Sequence, residues 1–217
     1  MFFKQFYDNN LSQASYLVGC QRTGEAIIID PVRDLTKYME VADSEGFTIT
    51  QAAETHIHAD FASGIRDVAE QLNANVYVSG EGDDELSYRN MPEQTHFVKH
   101  QDIIHVGNIK LEVLHTPGHT PESISFLLTD EGGGSSVPMG LFSGDFIFVG
   151  DIGRPDLLEK SVQVEGSTEV SAKQMYQSIE SVKDLPDYIQ IWPGHGAGSP
   201  CGKALGAVPM STLGYEK

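Results

Sequence analysis

Cysteine is scarce in this chain. Only Cys20 and Cys201 occur among 217 residues. Two thiols cannot build a disulfide framework, so a reducing compartment is the simplest reading. Long apolar runs are also missing. No stretch reaches the roughly 18 apolar residues that a membrane span needs. The N-terminus, MFFKQFYD, is charged too early to be a signal peptide. A cytoplasmic location and no membrane partner are the expectations. Basic residues are few as well, with 14 Lys plus Arg against 31 Asp plus Glu and a net charge of −17. Such a surface repels phosphate backbones, which excludes nucleic acid and anionic membranes as partners. No fixed-period repeat appears.

What the chain does have is ordinary globular material, 40% apolar by residue. Its length fits one large domain or two small ones. Runs rich in apolar residues predict strands over 2–7, 15–19, 25–29, 47–54, 74–78, 96–98, 109–114, 124–128, 141–149 and 188–192. Helical spacing covers 35–42, with Asp34 as N-cap and Gly46 as stop, and also 61–72 and 171–181. Gly132, Gly133 and Gly134 mark a surface loop with no helix after it, which rules out a phosphate loop. The segment after Gly194 reads as loop. This order, β-rich then α and again β-rich then α, predicts two similar halves, each a sheet with covering helices.

Four polar motifs stand at strand ends: THIHAD (55–60), HTPGHT (115–120), SGD (143–145) and WPGHG (192–196). Any one of them alone would be a hydrogen-bonded turn. Four together predict side chains converging on one edge of a sheet. Imidazole suits zinc and iron, and a carboxylate suits harder ions, so the site reads as a metal centre. Phe61 stands where a further ligand would extend it.

The combination HxHxD, PGHT, GD and PGHG resembles the metallo-β-lactamase superfamily over nearly the whole chain. Within it, THIHADFASG, LHTPGHTPESISFLL, GDFIFVGDIGRPDLL and IWPGHGAGSPCG are most similar to persulfide dioxygenases. They look especially like bacterial proteins that fuse this domain to rhodanese domains. The resemblance implies an α/β (α+β) fold, the αββα sandwich, over residues 1–217. That span would be the N-terminal part of a longer rhodanese fusion. It implies one Fe(II) per chain, held by His56, His119 and Asp145. Two histidines and one carboxylate with open positions favour non-haem iron and O2. Binuclear relatives place a histidine directly after the motif's aspartate, where this chain has Phe61. His58, Asp60 and His195 match metal-binding positions of those relatives and are expected here to orient the ligands by hydrogen bonds.

Arg154 matches a family arginine beside the thiol-substrate cleft. An ion pair with Asp151 or Asp156 is its structural alternative. Cys201 is expected at the pocket mouth as a catalytic, sulfur-accepting thiol, with inert packing as its alternative. The implied reaction turns a low-molecular-weight thiol persulfide and O2 into sulfite and thiol, as in sulfide detoxification. A homo-oligomer is expected. The rival readings are a zinc-dependent thioester or lactam hydrolase, and a metal-bearing sulfur-binding domain without catalysis.

Overall fold

In the computed structural model, which describes residues 1–82, 86–162 and 167–217, two six-stranded sheets face each other between outer helices. The first half contains β1 (Phe2–Asp8), β2 (Gln13–Gly19), β3 (Glu25–Ile29), α1 (Thr36–Glu45), β4 (Thr48–Ala53), α2 (Ile65–Leu72), β5 (Asn75–Ser79) and β6 (Thr95–Val98). The second contains β7 (Ile103–Val106), β8 (Ile109–His115), β9 (Ile124–Asp130), β10 (Gly140–Gly144), α3 (Leu157–Val162), α4 (Ser167–Val182), β11 (Gln190–Pro193), β12 (Ser211–Thr212) and α5 (Leu213–Glu216).

In the first sheet β1 to β3 are antiparallel and β3 to β6 run parallel. The parallel part is wound by α1 and α2, as short apolar strands alternating with helices require. In the second sheet β7 to β10 are antiparallel, and β11 joins β10 in parallel. Strand β2 shows why this becomes a sandwich, because every one of its seven residues is buried. Tyr16 and Val18 face the second sheet, where they meet Ile109, Phe126 and Phe142. Leu17 faces outward against Tyr38 of α1 and Val68 of α2. On the far side Met175 and Val182 of α4 cover Leu141 and Ile191. The expected αββα sandwich is the observed fold.

Several boundaries differ from the sequence reading. Residues 61–64 are not helical, because Ser63 bridges Val32 and the Gly64 N–H donates to the Pro31 carbonyl at 2.8 Å. The strand expected over 141–149 ends at Gly144, whose φ of +52° turns the chain sharply inward. Leu35 sits at the start of α1, and the Asp34 carboxylate accepts from the Thr36 N–H at 3.0 Å. Strands β7 and β12 and helices α3 and α5 are additions, and β12 and α5 lie in the segment read as loop. Among the described residues no helix is long and apolar enough to cross a membrane.

Candidate metal centre

All four motifs follow the C-terminal end of a strand. Strand β4 delivers His56, β8 leads to His119, β10 leads to Asp145 and β11 leads to His195. Strands β10 and β11 are parallel, and β8 is antiparallel to β9, which is antiparallel to β10. Three loops of the second sheet therefore emerge at one edge. The fourth is tied to them by the Ile124 N–H, which donates to the Thr55 carbonyl at 2.8 Å.

His56, His119 and Asp145 converge there, with ligand atoms within 4.8 Å of one another and all three residues buried. The Asp145 Oδ2 lies 3.4 Å from His119 Nε2 and 3.9 Å from His56 Nε2. Burial first, then the charge of His58, pushes the His56 imidazole well below its usual range, and burial lowers His119 too. Burial therefore favours the neutral form of both, the form that ligates a metal. Burial alone would raise the Asp145 carboxyl. The facing imidazoles of His195, His56 and His119 outweigh it and hold the group well below the carboxylate range. Among the described residues neither Asp145 oxygen has a hydrogen-bond partner. A buried carboxylate with nothing to accept from is costly unless a cation meets it. The donor set fits a divalent metal held by two nitrogens and one oxygen.

His58 belongs to a different environment. Its Nε2 lies 3.3 Å from Asp30 Oδ1 and 3.8 Å from Glu54 Oε1. Its ring packs between those of His56 and Phe61, with centroids at 4.2 and 4.3 Å. Burial opposes its charge, but the hydrogen bond and charge of Asp30, then Glu54, push its pKa up to about 9. His58 is thus an imidazolium beside the triad. This predicts a pH effect on the metal-free protein. The folded value lies above the ordinary 6.5, so the stabilisation is full below pH 6.5 and is lost as pH rises to 9. The gap is worth about 3 kcal/mol. Urea unfolding at pH 6.5 and 9 measures it, and His58→Gln should flatten the difference. An unchanged slope in that variant would remove His58 as its source.

Asp60 and His195 form a second group with Cys201. His195 Nδ1–H donates to the Ser12 carbonyl at 3.1 Å. Its Nε2 then faces Asp60 Oδ2 at 3.2 Å and Asp145 Oδ1 at 3.6 Å. Cys201, expected at the pocket mouth, lies inside beside Asp60 and His195. Its side chain is buried, and burial, then the Asp145 charge, pushes its thiol well above the usual range. A protonated thiol is a poor nucleophile. Arg154 forms the ion pair with Asp156. Its Nε and Nη2 donate to the two Asp156 oxygens, both at 2.9 Å, and its Nη1 to the Pro200 carbonyl at 3.3 Å.

Residues outside the expected set also shape the site. Asp30 is buried at the end of β3 and accepts from the Thr55 N–H at 2.7 Å and the Thr55 hydroxyl at 2.9 Å. Glu122 accepts from the Ile57 N–H at 2.8 Å, fixing the loop after His56. The Asp30-Pro31 pair reads in sequence only as a strand stop. Its carboxylate beside a His-bearing strand is the missed signal.

The family model of the metallo-beta-lactamase superfamily matches residues 8–195. The chain belongs to that superfamily. The superfamily is one of metal-dependent enzymes, and the converged His and Asp cluster of this chain could hold a metal ion. The chain is 32% identical over 183 residues to a hydroxyacylglutathione hydrolase of Polaromonas sp., across 83% of this chain and 61% of that protein. Among solved structures it is 77% identical to a metallo-beta-lactamase from Staphylococcus aureus subsp. aureus COL, with TM-score 0.93. That match covers 99% of this chain and 61% of the other. It is 29% identical to ETHE1 from Myxococcus xanthus, with TM-score 0.77, over 100% of this chain and 81% of that one. The chain thus spans about three fifths of the length of the first two.

Proposed function

We propose that this superfamily member is a persulfide dioxygenase with one non-haem Fe(II). The observation that carries the reading is a ligand group of two histidines and one carboxylate, with His58 drawn off by Asp30 and Glu54. The motif resemblance to persulfide dioxygenases and the structural likeness to ETHE1 over the whole chain support it. The net reaction is persulfide plus O2 plus water giving thiol, sulfite and two protons.

His56, His119 and Asp145 would hold the iron, which supplies the redox chemistry between the persulfide sulfur and O2. A set of three protein ligands would leave positions for both reactants. The single carboxylate leaves one positive charge on a bound divalent ion, matched by one persulfide anion. The triad is buried, which would keep bulk solvent away from a sulfur bound there. His195 Nε2 and Asp60 Oδ2, 3.2 Å apart beside Asp145, are placed to hold a proton released there. A rhodanese domain, attached or separate, is the partner this reading expects, with a thiol persulfide as the shared substrate.

The test is anaerobic loading with Fe(II), elemental analysis, and O2 uptake with several thiol persulfides alongside sulfite analysis. One iron per chain, O2 consumption and sulfite are expected. A zinc-dependent thioester hydrolase is the second reading, favoured by the likeness to hydroxyacylglutathione hydrolase and by the Asp60–His195–Cys201 group. Two zinc ions per chain with thioester cleavage, and no O2 uptake with iron, would establish it instead.

A further inference from the structure

We infer that Thr55 is a positioning residue that fixes His56 as the Nδ1–H tautomer and so aims its Nε2 lone pair at the metal. The argument is a count of protons. Thr55 Oγ1 lies 2.9 Å from Asp30 Oδ2 and 3.0 Å from His56 Nδ1. A hydroxyl has one proton and two lone pairs, and an ionised carboxylate only accepts. The Thr55 proton is therefore committed to Asp30. The remaining contact is satisfied only if His56 Nδ1–H donates to Thr55.

The opposite tautomer would set two lone pairs against each other at 3.0 Å in a buried site, which is costly. It would also place the Nε2 proton toward Asp145, where the ion belongs.

The hydroxyl cannot swing away from this arrangement. Asp30 Oδ1 accepts from the Thr55 N–H at 2.7 Å, and the Asp30 N–H donates to the Ala53 carbonyl at 2.9 Å. Both hydrogen bonds clamp the end of β3 to the end of β4. Asp30 holds a φ of +51°, a conformation that needs such support. From the other sheet, Gly144 packs so closely that a Cβ there would lie 2.5 Å from Thr55 Oγ1. One carboxylate thus serves both histidines of the motif. It reaches His56 through Thr55 and lies 3.3 Å from His58 Nε2 directly. Outer hydrogen bonds of this kind orient ligand imidazoles.

The inference rests on His56 being a metal ligand, whichever ion binds and whatever reaction follows. Long-range 1H–15N NMR of the labelled metal-free and zinc-loaded protein reads the tautomer directly, with the His56 ring assigned by its loss in His56→Gln. A protonated Nδ1 is expected in both forms. An Nε2–H tautomer in the metal-free wild type overturns the inference, and this measurement needs no Thr55 variant to fold. Zinc affinity by chelator competition gives the second readout. Thr55→Val should weaken binding by about 10- to 100-fold, while Thr55→Ser, which keeps the hydroxyl, should stay within about threefold. A folded Thr55→Val that binds as the wild type does overturns it. If His56→Gln binds zinc undiminished, the ligand assignment itself fails, and the inference with it.

Discussion

Asp145→Ala should abolish the O2 uptake proposed for the iron-loaded protein and lower its affinity for Fe(II) and Zn(II) by more than about 100-fold, beyond the usual cost of losing an outer partner. Asp145 is the anion of the triad, and its Oδ2 faces both ligand imidazoles. Without it, two neutral histidines remain, with the His58 cation packed against one of them. That set repels a divalent ion. The fold should survive, because Asp145 touches the site groups while the cores are built from Phe126, Phe142, Leu141 and their neighbours. The variant should also lose the thermal shift that metal produces. Saturation at about 1,000 times Kd is worth about 4 kcal/mol in the wild type. Calorimetry with and without metal, beside O2 uptake, checks both. Full activity in Asp145→Ala would show that Asp145 is not a ligand.

The sandwich was legible because its strands are apolar runs and its motifs sit where those runs stop. The four motifs came from that pattern and the triad His56, His119 and Asp145 from the family resemblance, and the fold brings the three side chains together. Strand β7 was missed because it is only four residues long and alternates buried with exposed. Its signal was Gly107-Asn108, the two-residue turn that joins it to β8. Asp30 could not be read as part of the site. It stands 25 positions before Thr55, and only the parallel register of β3 on β4, with Ile29 opposite Ala53, sets the two side by side.

The surroundings of Arg154 and Cys201 were not legible in the sequence for a related reason. Each had two readings that differ only in where a loop folds back. The Gly-, Pro- and Ser-rich run before Cys201 reads as exposed. In the structure the Arg154 N–H donates to the Cys201 carbonyl at 3.1 Å, and the Cys201 N–H to Ser199 Oγ at 3.1 Å. These bonds draw the thiol inward beside Asp60 and His195. Local composition reports turn propensity, whereas burial depends on what the turn packs against.

Gly153→Ala should damage the metal centre without replacing any ligand residue. A Cβ at Gly153 would stand 1.8 Å from the Asp145 carbonyl oxygen and 3.2 Å from the His119 Cβ. The first contact is with backbone, so no side-chain rotation relieves it. Nor is the segment free to move. The Gly153 N–H donates to the Phe146 carbonyl at 3.1 Å, the Phe148 N–H to the Asp151 carbonyl at 2.9 Å, and Ile147 bridges Ile152. The added methyl must push Asp145 and His119 apart, at a cost of about 3 kcal/mol in stability. Misplacing two of three ligands should also weaken metal binding by about 10- to 100-fold, as loss of ligand orientation does. Gly150→Ala is the control. Gly150 has a φ of +76° with nothing within 4 Å of its Cβ position, so it costs only the left-handed penalty of about 1 kcal/mol. Urea unfolding and chelator competition on both variants separate the two causes. If Gly153→Ala loses no more stability than Gly150→Ala and holds metal as the wild type does, the close packing of Gly153 on Asp145 does not position the site.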